Sequence, residues 1–539
     1  MERTILKPQR RVLFAVLIIG YVLAIQLVGI QRPFLGHYGS YQGTVMGSIA
    51  RNMVRENFSE ILLPKTDAVL EGKRSLHLNQ YPLPSLLAAD AVKFLGGSYE
   101  FWGRFQAVIF NLFSILVLFF IARRLFDERA AWLAAAIFAL SPLTIVYGQS
   151  FMSEASSLFF FLCSFYFLVC DDRDSVSRIL LSAVLFSIAV TGRLHWILFL
   201  PFFCVPIWWT GSQGRFRKLF IFGVVSLILP LAWYAYTYFA SLQAPHIHTN
   251  LFLQMATSVK ESFWLRGDLY RAVGLIFGKS MLAGIMIPFF LFGIGPALKG
   301  REGRLCLAMV VGVTVAVMVL SPIKLIHHDF YLYAVFPFVA ILTGLGFEKT
   351  LNRFPKFASV VLIGLLAVFL VASAVFSLRT ILKVPSNEKE MVAVAVQVRS
   401  KTAPDEQVIV GSESIGPFVF YLDRPWWALV PNEIGAELNP YLRMTKFTGR
   451  SETSLKELEE VRQDPIAWLE YLRSKGAAYF VAPQPQDFHN YPEFLRYLDE
   501  RYENISENPQ QYLFYRLRTT APNRSLSVDS AAADEASYT

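Results

Sequence analysis

Residues 36–52 read Gly36-His37-Tyr38-Gly39-Ser40-Tyr41-Gln42-Gly43-Thr44-Val45-Met46-Gly47-Ser48-Ile49-Ala50-Arg51-Asn52. They lie in a stretch, Gln31 to about Trp102, that is far too polar to cross a bilayer, yet apolar segments stand on both sides of it. Within it, Ser48 to Leu63 and Pro82 to Phe94 carry apolar residues at helical spacing, the pattern of helices that lie on a membrane surface. The stretch therefore reads as a first outer loop with amphipathic helices of its own. It forms half of a site at the outer face, and the segments that follow supply the rest.

Those segments set the class of the chain. Of 539 residues 54% are hydrophobic and 15% aromatic, and the mean hydropathy is +0.42. A soluble domain of this size is not so apolar; repeated apolar stretches of about 20 residues mean a polytopic α-helical membrane protein. The net charge of +9 would suit nucleic acid, but the basic residues cluster in short loops between apolar segments. Membrane topology accounts for them, and no nucleic-acid partner is expected. Cys163, Cys170, Cys204 and Cys306 fall in or beside apolar segments without metal-ligand spacing, so they read as structural and imply no disulfide framework. The N-terminal apolar run lacks a small-residue cleavage site and reads as a retained first span.

Eleven spans are expected, at about 12–30, 105–121, 131–146, 155–170, 178–191, 196–209, 219–238, 272–298, 305–320, 331–347 and 357–376. Lys7, Arg10 and Arg11 hold the N-terminus in the cytoplasm. Arg123/Arg124, Arg173/Arg178, Arg215/Arg217/Lys218, Lys299/Arg301/Arg304 and Lys349/Arg353/Lys356 then all fall on the cytoplasmic side, as the positive-inside rule requires. From about Leu382 the chain lies outside. The expected organisation is a transmembrane unit over 1–381 with its outer loop at 31–102, a small soluble α/β domain over 382–518, and a disordered Ser/Ala/Asp-rich tail over 519–539. In the α/β domain helices are expected over 387–400, 455–472 and 492–502, and strands over 407–411, 477–481 and 513–517.

Polar residues gather at the outer ends of the spans, where an ionisable group costs several kcal/mol unless it is paired or wet. Glu154 sits between Met152-Ser153 and a run of Leu and Phe, as a functional carboxylate or as the partner of Arg193 in a structural ion pair. Lys324-Leu325-Ile326-His327-His328-Asp329-Phe330-Tyr331 concentrates a cation, two imidazoles, a carboxylate and a phenol at one outer edge. That set suits an anionic phosphate headgroup. An interfacial aromatic belt would explain Tyr331 and Tyr333 but not Lys324 with a histidine pair. His246 and His248 read as surface loop residues. His37 lies between Gly36 and Gly39, which permit close backbone approach to a ligand, although a lone histidine is more often structural. No Walker loop, dinucleotide fingerprint or nucleotide-sugar signature appears, so a cytosolic nucleotide is not the expected donor.

Taken in order, several motifs resemble the membrane glycosyltransferases of the GT-C fold. The likeness is strongest to the bacterial branch related to the protein mannosyltransferases and the aminoarabinose transferases that modify lipid A. They are Gly36-His37-Tyr38-Gly39 with Ile49-Ala50-Arg51-Asn52, Asn79-Gln80-Tyr81-Pro82, Gly103-Arg104-Phe105, Ala122-Arg123-Arg124-Leu125-Phe126 and Ala139-Leu140-Ser141-Pro142. Gln149-Ser150-Phe151-Met152-Ser153-Glu154-Ala155 and His328-Asp329-Phe330-Tyr331-Leu332 complete the set. The resemblance implies an inverting enzyme of the bacterial inner membrane. It would take a sugar from a polyprenyl phosphate at the outer leaflet and pass it to an envelope lipid, glycan or protein acceptor on the periplasmic side. In such enzymes a first-loop carboxylate usually activates the acceptor or organises the site. Here no Asp or Glu stands between Arg32 and Arg55, and His37 occupies the matching region.

Two readings follow from that departure. His37 or Glu154 serves as general base, or the base is gone and the protein binds or flips a lipid-linked sugar without transferring it. Polar residues at outer ends rather than through span centres favour the enzyme. On that reading His37 and Glu154 are catalytic; Arg51, Lys324, His328 and Tyr331 hold the donor phosphate; Tyr41, Asn79 and Arg193 contact the substrates. No cofactor is predicted. Glu154, His37 or His328 leaves room for a divalent metal, which is not predicted either.

Overall fold

Helices follow the apolar segments, and their breaks fall where the chain has to line a site. The computed structural model describes residues 8–517 apart from 71–72, 170–174, 211–213, 244–245, 248–264, 354–355, 413–415, 432–433 and 435–459. Lys7, Cys170, Arg173, His248, the first part of the segment 455–472 and the tail 519–539 lie outside the described residues. Each of the eleven apolar segments contains helix. Among the described residues four helices are long and apolar enough to cross a membrane: Tyr99–Leu125, Arg215–Ser241, Arg301–Leu320 and the one that begins the run Gly364–Ser400. Five more are apolar but shorter.

Two segments that read as continuous are broken. Ser141 is extended (ψ 144°), as the ring of the following proline demands, so the helix Glu128–Leu140 stops and a new one, Pro142–Tyr147, starts on Pro142. The segment 272–298 is split into Gly267–Leu275, a π-turn Ile276–Met281 and Ile287–Lys299. Ala283 and Gly284 adopt left-handed backbone (φ 47° and 76°) between the last two. Small residues hold the bundle close. A Cβ on Gly293 would lie 1.9 Å from Leu342 O and one on Gly346 1.8 Å from Phe289 O, so the helices Ile287–Lys299 and Phe336–Arg353 touch backbone to backbone.

The C-terminal part carries strands β4 (Gln407–Gly411), β5 (Trp426–Leu429), β6 (Ala477–Ala482), β7 (Glu503–Asn504) and β8 (Leu513–Arg516). β5, β4 and β6 are parallel neighbours in that order, and β8 and β7 add antiparallel pairs. Alternation sorts the side chains. Val408 and Val410 face Val394, Val398 and Phe418 from the helices Ser386–Ser400 and Gly416–Leu422. Ile409 and Phe480 face Leu469, Leu472, Phe494 and Leu498 from Pro465–Ser474 and Pro492–Arg501. Helices thus cover both faces of a sheet whose central strand β6 is buried throughout.

The sheet does not stop there. The first outer loop contributes a hairpin, β1 (Lys65–Leu70) and β2 (Lys73–His77), and β1 pairs with β5 through Ala68 and Trp426. β3 (His246–Ile247) pairs with β2, giving eight strands in the order β3-β2-β1-β5-β4-β6-β8-β7. The first loop and the C-terminal unit therefore share one sheet. This bears on the loop helix as well. The spacing predicts a surface helix over 48–63, but the helix runs Tyr38–Arg55 and is sandwiched rather than laid on a membrane. Its Met46, Ile49, Ala50 and Met53 are buried with Phe34, Ala88, Ala89 and Phe420. Glycines four apart make the sandwich fit, since a Cβ on Gly43 would lie 2.6 Å from the Phe34 ring and one on Gly47 2.7 Å from that of Phe420.

Arg51 pins this arrangement. It reaches Asp67 on β1 (2.6 Å), Asp423 after the helix Gly416–Leu422 (2.7 Å) and the carbonyl of Phe420 (2.8 Å). Asp67, 2% exposed, also accepts from Ser48 (2.9 Å) and Asn52 (3.1 Å) and has Arg55 and Arg74 beside it. Burial alone would raise its pKa, but Arg51, Arg55 and Arg74 outweigh burial and hold the carboxyl below its ordinary value. Removing a buried ion-pair partner strands the other charge. Asp67→Asn should therefore destabilise the protein by about 3–5 kcal/mol, read as a lowered Tm in detergent; an unchanged Tm would show that the pair holds nothing together.

Candidate active site

The site is built on the turn between the helices Pro142–Tyr147 and Glu154–Val169, and every residue from Tyr147 to Leu158 is buried. Two glycines let the turn take its place. A Cβ on Gly148 would lie 2.3 Å from Gln26 Nε2 and 2.6 Å from Asn111 Nδ2, so side chains of the helices Pro8–Gln26 and Tyr99–Leu125 close on the turn itself. A Cβ on Gly39 would lie 2.2 Å from Ser150 Oγ, which lets the first outer loop close over it.

Glu154 opens its helix at 1% exposure and forms an ion pair with Arg193, which follows the helix Val176–Gly192. The helix N-terminus adds a favourable dipole for the carboxylate. From Arg193 the cluster runs on through aromatic faces. The guanidinium lies over Phe330 (5.5 Å), His328 stacks on Phe330 (5.2 Å) and His195 on Tyr331 (4.8 Å). Asp329 fixes the loop that carries them, accepting from Tyr147 Oη (2.5 Å) and Ser280 Oγ (2.9 Å). Tyr147 ends the helix Pro142–Tyr147 and Ser280 lies in the π-turn Ile276–Met281. Burial first, then the charges of Lys324 and His327 and more weakly Arg193, push His328 down to about 4. That corner is positive.

Its polar groups are incompletely satisfied. Ser153 Oγ and His195 Nε2 are buried without a hydrogen-bond partner among the described residues, and so is Gln149 Nε2 on the His37 side of the turn. Native interiors hold few such groups, and where they gather a ligand or water is the usual completion. Among the described residues no group of three or more His, Cys, Asp or Glu stands close enough to hold a metal ion.

The residues singled out from the sequence divide into four groups. Glu154, Arg193, His328 and Tyr331 come together, with Lys324 acting on His328. Asn79 approaches from the first loop: its carbonyl accepts from Tyr234 Oη (3.5 Å), and two residues later Tyr81 N–H donates to Thr191 O (3.4 Å), just before Arg193. His37 lies over the other side of the turn, as the N-cap of Tyr38–Arg55, its Nδ1 accepting from Gly39 N–H (3.1 Å). Arg51 and Tyr41 stand apart. Arg51 is spent on Asp67 and Asp423, and the Tyr41 ring packs against Gly416, where a Cβ would lie 2.2 Å from it. Tyr147 and Ser280 carry no expectation from the sequence, and Asp329 is expected only as one polar residue of the run 324–331. Asp329 stood in a polar cluster, but nothing along the chain pairs it with Tyr147 or Ser280.

Comparison with known proteins agrees with this architecture. A profile of the dolichyl-phosphate-mannose-protein mannosyltransferase family matches residues 82–238. A search of curated protein sequences found no match. Among solved structures, ArnT from Cupriavidus metallidurans bound to undecaprenyl phosphate superposes with a TM-score of 0.64 at 14% identity, over 94% of this chain and 98% of that one. AglB, the oligosaccharyltransferase of Archaeoglobus fulgidus, in complex with an inhibitory peptide and a dolichol-phosphate gives 0.57 at 11%, over 95% and 75%. The arabinofuranosyltransferase AftD from Mycobacteria gives 0.54 at 13%, over 96% and 42%. The chain has the GT-C fold of these membrane glycosyltransferases.

His37 gives the site a pH signature. Burial, then the charge of Arg104, lowers it from 6.5 to about 4. Between those values the unfolded chain binds a proton that the folded chain does not. The contribution of His37 to stability is thus complete above about 6.5 and is lost as the pH falls toward 4. The wild type should lose Tm across that window more steeply than His37→Gln; parallel curves would mean that the imidazole is solvated.

Proposed function

We propose that this protein is an inverting glycosyltransferase that moves a sugar from a polyprenyl-phosphate donor to an acceptor at the outer face of a bacterial inner membrane. The N-terminus is cytoplasmic in this reading and the C-terminal α/β unit periplasmic. The acceptor is an envelope lipid, glycan or protein. What carries the proposal is the buried Glu154–Arg193 ion pair with the cation Lys324 and the ring of His328 close by. An anionic leaving group needs such a corner, and a nucleophile needs a carboxylate beside it. The fold shared with ArnT and AglB, whose structures hold undecaprenyl phosphate and dolichol-phosphate, supports a donor of that class.

The chemistry is a single displacement. The acceptor oxygen attacks the anomeric carbon, the bond from that carbon to the phosphate oxygen breaks, and the polyprenyl phosphate leaves with the electron pair. Lys324, His328 and Tyr331 hold that phosphate and Arg193 steadies its growing charge, with Asn79 closing the sugar side. Glu154 takes the acceptor proton. His37 orients the acceptor rather than deprotonating it, because its Nδ1 lone pair already accepts from Gly39 N–H, which leaves the ring proton on Nε2. The geometry gives Arg51 and Tyr41 work at the interface with the C-terminal unit, and the mechanism does not use them.

Membranes assayed with radiolabelled polyprenyl-phosphate sugars should pass label to an extractable lipid or polymer. Glu154→Gln strands the Arg193 charge and so lowers Tm as well, and per folded molecule, checked by retained binding of the lipid donor, it should reduce that transfer by at least about 100-fold. Full activity in this variant would remove Glu154 from the reaction, and tight donor binding without transfer in the wild type would make the protein a binder. Lys324→Ala should raise KM for the lipid donor more than it lowers kcat; an unchanged KM would take Lys324 off the phosphate.

A further inference from the structure

The last apolar helix, Lys356–Leu382, leans on the bundle along one side. There Ser373 and Ser377 are fully buried, and Ala374, Leu378 and Ile381 pack with Ile25, Ile145 and Val146. Its other side faces away from the protein, with Val368, Val371 and Val375 at 54%, 60% and 45% exposure. A shallow groove of about 580 Å³ runs down this side. Its walls are valine and alanine from Ala367 to Val375, and Phe376 and Arg379 stand at the end nearer the C-terminal α/β unit.

The charge at that end is unmatched. Lys279 reaches across from the π-turn Ile276–Met281 and holds its ammonium 4.8 Å from the centre of the Phe376 ring. Arg379 lies about one turn beyond Phe376 on the same helix. Both cations are exposed, no carboxylate lines the groove, and among the described residues neither forms an ion pair. The positive-inside rule accounts for Lys349, Arg353 and Lys356 at the opposite end of this helix, and it disfavours cations here. Two cations at the mouth of an aliphatic groove are costly in a bilayer unless an anion of the headgroup layer meets them. The dimensions choose the lipid. Arg379 and Ala367 are about 18 Å apart along the helix, against about 15 Å for the hydrocarbon depth of one leaflet. An acyl chain of a glycerophospholipid ends where this groove ends, whereas a polyprenyl chain runs far beyond it.

We infer that the groove holds an anionic glycerophospholipid of the leaflet on the side of the α/β unit. Its phosphate sits between Lys279 and Arg379, and one acyl chain lies along Val375, Val371 and Val368. The phosphate diester accepts from the ammonium and the guanidinium, and the chain supplies the van der Waals partners that the protein does not give these valines. The lipid thereby bridges the last helix and the π-turn. Ser280, next to Lys279 in that turn, donates to Asp329 (2.9 Å), so the bound lipid braces the loop of His328 and Tyr331 from outside. None of this depends on glycosyl transfer.

Purified full-length protein in a neutral detergent is titrated with dioleoylphosphatidylglycerol, dioleoylphosphatidylcholine and undecaprenyl phosphate, with bound lipid counted by native mass spectrometry and Tm followed in parallel. Phosphatidylglycerol should bind and raise Tm, and phosphatidylcholine, with the same chains, should bind at least about ten-fold more weakly. Lys279→Gln/Arg379→Gln changes two exposed side chains and is checked for the wild-type Tm without lipid. It should weaken phosphatidylglycerol by at least about ten-fold and leave undecaprenyl phosphate as it was. Val371→Trp, which fills the groove and keeps both cations, should weaken phosphatidylglycerol as well. Equal binding of the two dioleoyl lipids by the wild type, or undiminished phosphatidylglycerol binding by the double variant, would overturn the phosphate site. Loss of undecaprenyl phosphate in the double variant would overturn the glycerophospholipid as occupant and give the groove to the polyprenyl lipid. Unchanged phosphatidylglycerol binding by Val371→Trp would overturn the place of the chain.

Discussion

A carboxylate at 1% exposure on the first turn of an apolar helix has to have a cation, and the pairing of Glu154 with Arg193 dictates much of what surrounds it. To bring them together, the helix before Glu154 must end early and the helix before Arg193 must stop at Gly192. The chain meets the first demand by starting a new, short helix at Ser141-Pro142 and ending it at the closely packed Gly148. The loop over the pair must then present faces rather than further charges, and Phe330 and Tyr331 do so from a segment tied down by Asp329.

The other buried carboxylate shows what a purely structural charge looks like in the same molecule. Asp67 has three arginines around it, two side-chain hydrogen bonds from Ser48 and Asn52, and a carboxyl held below its ordinary pKa. Nothing is left over for a ligand. Glu154 has one arginine, and the buried polar atoms of Ser153, Gln149 and His195 near it in sequence or space have no partner among the described residues. Saturation costs a binding site its purpose, because a group already satisfied gains nothing from a substrate. The contrast separates the clamp that joins the first loop to the C-terminal sheet from the cluster that can do chemistry.

How far the sequence could be read follows from the range of each interaction. Apolar runs and basic loops are local, and they located the helices, the strands at 407–411 and 477–482, and the helix at 492–501 closely. Glu154 was legible because one carboxylate in a Leu/Phe run is anomalous in any context. Arg51 was not. Its meaning depends on Asp423, more than 370 residues away in the chain, and on a hairpin whose strands at 65–70 and 73–77 have no strong alternation. The same holds for the Tyr38–Arg55 helix, which reads as amphipathic whether its partner is lipid or Phe420. The glycines at 39, 43 and 47 were the available signal, since a membrane surface makes no use of a missing Cβ.

The two positive regions divide the turn between them. Lys324 and Arg193 lie on the Glu154 side; Arg32, Arg104 and Lys389 lie on the His37 side, with Gln149 and Glu154 five residues apart on the chain that separates them. The two sides hold their buried guanidinium groups differently. Arg193 faces the carboxylate of Glu154, whereas Arg104 rests on the carbonyls of Ile30, Arg32 and Pro33. A carboxylate neutralises a guanidinium and carbonyl dipoles only solvate it, so the turn separates a compensated charge from one that keeps its field.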